Sequence, residues 1–139
     1  MNALVPELSV RDCAASLRFY RDILGFAVRY QRPEEGFAYL ALGEAELMLD
    51  EIGVGRDFDP ALAVERGTLG RGLNLQIRVP ALAPLLAALR RQRIPLLLGP
   101  EEKWYRQGAV EAGQRQLVVA DPDGYLLRFC EDLGIRPAR

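Results

Sequence analysis

Asp121-Pro122-Asp123-Gly124-Tyr125-Leu126-Leu127-Arg128-Phe129 reads as a tight turn that feeds an alternating strand. Pro122 supplies the fixed φ that position i+1 of a type I turn requires, and Gly124 takes the left-handed position that follows. Upstream, Gln116-Leu117-Val118-Val119-Ala120 is the partner strand, so the segment closes a hairpin near the end of the chain. Alternation then sends Leu127 and Phe129 to one face and Arg128 to the other.

Working outward, the chain repeats itself. Asp12 is a natural N-cap for an amphipathic helix in which Cys13, Leu17, Tyr20 and Leu24 share a face, widened by Ile23 and ended by Gly25. A second helix follows 69 residues later, with Leu82, Leu85, Leu86 and Leu89 as its stripe and Pro84 in its first turn. An alternating strand precedes each helix. In 73–79 the apolar residues face away from Asn74, Gln76 and Arg78; in 4–10, Leu4, Leu8 and Val10 face away from Glu7 and Ser9.

Further strands are expected after each helix, at 26–32, 37–42 and 46–51 in the first half and at 96–98, 114–120 and 126–131 in the second. The order is β-α-β-β-β twice, an α+β domain of two tandem modules. One domain spans 1–139, with module one at about 3–52, a Gly-rich linker at about 53–71 and module two at about 72–133. Aligning Gly43 with Gly124 shows about 12 extra residues in the second half. They fall between Gly99 and Gly113, around Trp104 and Tyr105.

Composition narrows the function. With 139 residues, half of them hydrophobic, the chain can bury a core without disulfide or metal support. A formal net charge of -1 gives no electrostatic case for nucleic acid or an anionic membrane. Arg90, Arg91 and Arg93 read as a solvated helix end. No signal peptide or spanning segment is evident, and Cys13 and Cys130 lie in apolar patterns, so a reducing cytoplasm is the expected location. There is no histidine, which excludes Ser-His-Asp and Cys-His catalysis. No phosphate-cradling glycine motif follows a strand.

The turn motif and Ser16-Leu17-Arg18-Phe19-Tyr20-Arg21-Asp22-Ile23-Leu24-Gly25-Phe26 together resemble the vicinal oxygen chelate superfamily, the glyoxalase, bleomycin-resistance and extradiol-dioxygenase group. The likeness covers roughly residues 4–133. Val5-Pro6-Glu7-Leu8-Ser9-Val10-Arg11-Asp12 and Leu127-Arg128-Phe129 look closest to the bleomycin-resistance branch. The resemblance implies curled sheets with helices on the convex side and ligand sites in the concavity. It also implies a homodimer, in which an N-terminal strand hinged near Pro6 is often exchanged.

The superfamily's enzymes hold a divalent metal with His and Glu at fixed strand positions. Those positions fall on Val5, Met48, Asn74 and Arg128, which do not make a hard divalent site. Carboxylates at Glu7, Glu46 or Asp50 are the remaining alternative set. The expectation is no metal and no cofactor. The resemblance and the alternation nominate Glu7, Ser9, Asn74, Gln76 and Arg128 as a polar floor, Tyr39 and Met48 as apolar wall, and Trp104 and Tyr105 as an aromatic lid or loop packing. Arg128 reads as a contact to an anion or carbonyl of a ligand, or as half of a salt bridge with Glu7. The bleomycin-binding relatives carry a Trp where this chain has Gly113, and they are strongly acidic. The leading reading is a non-catalytic small-molecule binder; a metal-independent enzyme and an interaction or regulatory protein are the alternatives.

Overall fold

The computed structural model describes all 139 residues. Its strands form two separate four-stranded mixed sheets. The first contains β1 (Glu7–Val10), β2 (Ala27–Arg32), β3 (Phe37–Leu42) and β4 (Ala45–Glu51) in the order β1-β4-β3-β2. The second contains β5 (Asn74–Arg78), β6 (Leu98–Gln107), β7 (Val110–Ala120) and β8 (Leu126–Pro137) in the order β5-β8-β7-β6. In each sheet the first strand runs parallel to the last and the other pairings are antiparallel. The α+β, two-module architecture is therefore as the repeat requires. By packing, residues 1–71 with 121–124 make one compact unit, and 72–120 with 125–139 make the other.

In the first unit, α1 (Cys13–Leu17) starts at Asp12, whose side chain accepts from the Ala15 amide at 3.1 Å. The helix then widens into a π-helical turn over Arg18–Ile23, which a uniform 3.6-residue period does not announce. Tyr20 and Phe26 are completely or nearly completely buried, edge to face at 5.4 Å. Leu8, Val10, Leu40, Leu47 and Leu49 form the apolar side of the sheet. The Asp121–Gly124 turn belongs to this unit: Asp121 accepts from the Tyr20 hydroxyl at 2.7 Å, and Asp123 pairs with Arg11.

In the second unit, α2 (Ala83–Arg91) buries Leu85, Leu86 and Leu89, with Leu82 at its N-cap. Leu82 has no capping side chain of its own; its amide donates to Glu131 Oε2 at 2.9 Å. Glu51 does the same for the Cys13 amide at 2.8 Å in the first unit. A carboxylate on the strand parallel to the first, at or just past the end of their pairing, thus satisfies a donor that a helix start leaves open in each unit, and the device repeats with the fold.

The segment between Gly99 and Gly113 is not a loop. It lengthens β6 and β7 into a long hairpin, and β8 runs on beside it to Pro137 rather than stopping near 131. β1 begins at Glu7, not at residue 4, although the Pro6 carbonyl still accepts from the Met48 amide at 2.8 Å. No helix is long and apolar enough to cross a membrane.

Candidate functional site

Strand register divides the nominated residues into two sets. On the open face of the first sheet, Glu7 lies opposite Met48, Met48 opposite Tyr39, and Tyr39 opposite Tyr30. One step along, Ser9, Asp50, Phe37 and Arg32 form a second row. From these rows Glu7, Met48, Tyr30, Asp50, Phe37 and Arg32 line an open cup of about 640 Å³, rimmed by Glu35, Gly55, Arg56 and Phe58. Ser9 and Tyr39, the latter only 4% exposed, lie outside its lining.

The cup has an aromatic wall. Tyr30 stacks on Tyr39 with centroids 5.1 Å apart and planes 16° apart, and Phe37 follows at 6.0 Å from Tyr30. Arg32 lies over the Phe37 ring at 4.1 Å while its Nε donates to Glu35 at 2.6 Å. A guanidinium centred over a ring shows that this surface accepts a cation, whose charge meets the ring's negative face. Tyr30, Arg32, Phe37 and Phe58 were not nominated from the sequence.

Asp50 is the carboxylate set into the cup. Burial pushes its carboxyl above the usual range, and the nearby charges of Asp57 and Glu35 push it further, against Arg32. The loop backbone comes so close at Gly55 that a Cβ there would run into the Asp50 carboxylate. Glu7, Glu35 and Asp50 face Arg32 and Arg56 in the lining, and the Arg32–Glu35 pair leaves Glu7 and Asp50 against Arg56 alone.

On the second sheet, Arg128 lies opposite Gln76, and Asn74 opposite Leu126. A smaller cavity of about 370 Å³ is lined there by Gln76, Arg78, Gln114, Cys130 and Asp132, among others. Side chains on this face form a relay. Gln114 donates to Gln76 and to Gln116, and Gln116, almost wholly buried, donates to Glu101 at 2.9 Å and to the Tyr105 hydroxyl at 2.7 Å. Arg128 is half-buried with its Nε lacking a hydrogen-bond partner, and no salt bridge includes it.

Trp104 and Tyr105 are strand residues, and alternation sends them to opposite faces. Tyr105 joins the glutamine relay. Trp104 lies on Gly113, where a Cβ would be 2.6 Å from its ring. Its indole donates to Glu102 at 2.8 Å, and the Arg136 guanidinium covers it at 4.0 Å. Gly113 thus provides the space that the ring fills.

Because Arg128 loses no ion pair on substitution, Arg128→Met should leave unfolding free energy within about 1 kcal/mol of the parent, or raise it, by removing a buried unpaired donor. A chemical melt checks this. A loss of roughly 3–5 kcal/mol would reveal a carboxylate that depends on it.

The profile of the Glyoxalase/Bleomycin resistance protein/Dioxygenase superfamily matches residues 3–129. The chain belongs to this superfamily. No curated protein matches it. Among solved structures it is similar to TioX from Micromonospora sp. ML1, at 18% identity and TM-score 0.71, covering 96% of this chain and 100% of that one. It is also similar to a protein of unknown function from Agrobacterium tumefaciens str. C58, at 25% identity and TM-score 0.65, covering 96% and 95%. A superfamily member from Vibrio splendidus 12B01 is 37% identical over 93% of this chain and 97% of that one, with TM-score 0.40.

Superfamily membership raises the question of a divalent metal. The positions that the resemblance assigns to the ligands hold Val5, Met48, Asn74 and Arg128, which offer neither imidazole nor carboxylate. Glu46, from the alternative set, is held by the Asn2 amide at 2.5 Å. Nowhere do three or more His, Cys, Asp or Glu residues converge to hold an ion. The residues present do not fit the metal. Elemental analysis of purified protein should find no stoichiometric Zn, Ni, Mn or Fe, and one tight ion per chain would contradict the assignment.

Proposed function

We propose that this superfamily member binds and sequesters a flat, positively charged small molecule in the cup of the first sheet, without reaction or metal. The observation that carries the reading is the wall of Tyr30 and Phe37, with Tyr39 stacked on Tyr30 outside the lining, beside the partly buried Asp50 carboxylate. Stacking on offset rings contributes roughly 0.5–1.5 kcal/mol per pair beyond area burial, and a cation over a ring about as much or more. Asp50 adds a charge partner whose ionised form lacks enough compensation in the empty cup. A ligand cation supplies that compensation.

The same cup gives little support to catalysis. With no histidine in the chain, proton transfer would fall to the carboxylates Glu7, Glu35 or Asp50. Within the superfamily we propose a role like that of the bleomycin-resistance-like binders, a cytoplasmic sink for a drug or an aromatic metabolite. We also propose that it works as a homodimer. A thermal-shift screen of planar cations against neutral aromatics of equal size tests the binding claim, since a ligand selective for the native state raises Tm. The cations should give the larger shifts; a response confined to neutral or anionic compounds would contradict the reading.

A further inference from the structure

β6 is the outer strand of the second sheet, paired with β7 on one side only. Ten residues long and largely exposed, it presents a row of unpaired backbone groups, the kind of edge that recruits another strand. Proteins usually blunt such an edge with charged side chains, Pro or a bulge, and Pro100 with the irregularity between Leu98 and Glu101 does so at the start of β6. Here the charges are of both signs and symmetrically placed: Glu101, Glu102, Lys103, Trp104, Tyr105, Arg106, Gln107.

We infer that β6 pairs antiparallel with β6 of a second copy of this chain, about a two-fold axis at Trp104. In that register Glu102 meets Arg106 of the second copy, twice by symmetry. Lys103 meets Tyr105, and the two Trp104 residues meet on the axis, their rings lying back over Gly113 of β7. The members of each pair share a face, because an antiparallel pairing centred on a residue joins positions of equal parity; the Lys103–Tyr105 pairs lie on the face opposite the Glu102–Arg106 pairs. Shifting the axis to Lys103 sets two lysines against each other and loses both ion pairs. Shifting it to Tyr105 leaves Glu102 without an arginine opposite. β2, the outer strand of the first sheet, carries Arg29 and Arg32 and no carboxylate, so it has no such complementarity.

Within one chain the side chains that would meet have internal partners, Arg106 Nε donating to the Gly108 carbonyl at 3.1 Å. Glu102 is held over the strand by the Trp104 indole, and Arg136, itself paired with Glu111 at 3.0 Å, fixes the ring from the other side. The extra length of the second module therefore has a role. It builds the ribbon that carries the contact.

The inference rests on the homodimer proposed above and assigns its surface. Cross-strand charge pairs strengthen pairing and like charges directly opposite weaken it. Glu102→Arg alone sets arginines opposite each other, and Arg106→Glu alone sets glutamates opposite each other. Each variant should dimerise about tenfold or more weakly than the parent by sedimentation equilibrium, with unchanged circular dichroism. Mixing the two variants should restore association as a heterodimer, visible by native mass spectrometry, because both pairs become attractive again. A monomeric parent protein at micromolar concentration would defeat both the dimer and this surface. A parent dimer indifferent to the single substitutions, or variants that stay apart when mixed, would defeat the β6 pairing alone.

Discussion

Asp121→Ala is expected to lower the stability of the protein by about 3 kcal/mol or more. Asp121 is 5% exposed, and its two oxygens accept from the Tyr20 hydroxyl at 2.7 Å and from the Asp123 amide at 2.9 Å. Tyr20 is completely buried, so truncating Asp121 leaves a phenol and an amide with a lost partner where water does not reach. A hydrogen bond to a charged group contributes roughly 1.5–3 kcal/mol, and stranding a buried partner adds to the loss. Tyr20→Phe, which removes one hydroxyl and keeps the ring between Phe19 and Phe26, should cost less, about 1–2 kcal/mol. Urea unfolding of both variants checks the ranking. Equal, small losses would mean that the turn is not anchored through this pair.

Asp50→Asn has the largest expected effect on binding. A desolvated ionic contact to a ligand cation is worth roughly 1.5–3 kcal/mol, so the substitution should weaken a planar cation by about tenfold to a hundredfold. A neutral aromatic should hardly be affected. The same residue sets a pH signature in the empty protein. Its folded carboxyl is raised above the unfolded one by burial, then by Asp57 and Glu35. Between those two values the folded state binds more protons than the unfolded state, so stability falls as pH rises through the window. Asp50→Asn should flatten that decline, while cation binding in the parent should strengthen over the same range as Asp50 ionises. Melts and titrations across the acid limb check both signs. A parent whose stability rises through the window attributable to Asp50 would contradict the assignment.

The hairpin at Asp121–Gly124 and both helix stripes were legible because their signals are local. Gly124 adopts φ +97, where a Cβ would also strike the Thr68 side chain, and Asp12 caps as its position implies. Arg128 was legible as an open-face residue because simple alternation holds through β8 as far as residue 131. The aromatic wall was not. A bulge between Val28 and Tyr30 moves Tyr30 from the register of Ala38 to that of Tyr39, and so from the buried face to the cup. One inserted residue reverses every side chain after it, and nothing local to β2 marks where it falls. The long β6 escaped for another reason. Its residues are mostly exposed on both faces, so no apolar period distinguishes strand from loop.

The most direct test of the cup is calorimetric titration with proflavine, a planar tricyclic cation, against parent protein and Tyr30→Ala. Tyr30 is half exposed, so the fold should survive its truncation. One proflavine should bind per chain in the parent and about tenfold more weakly in Tyr30→Ala, with neutral phenazine weaker than proflavine in both. Proflavine binding that is indifferent to Tyr30, or no heat of binding from any planar cation, would contradict the account.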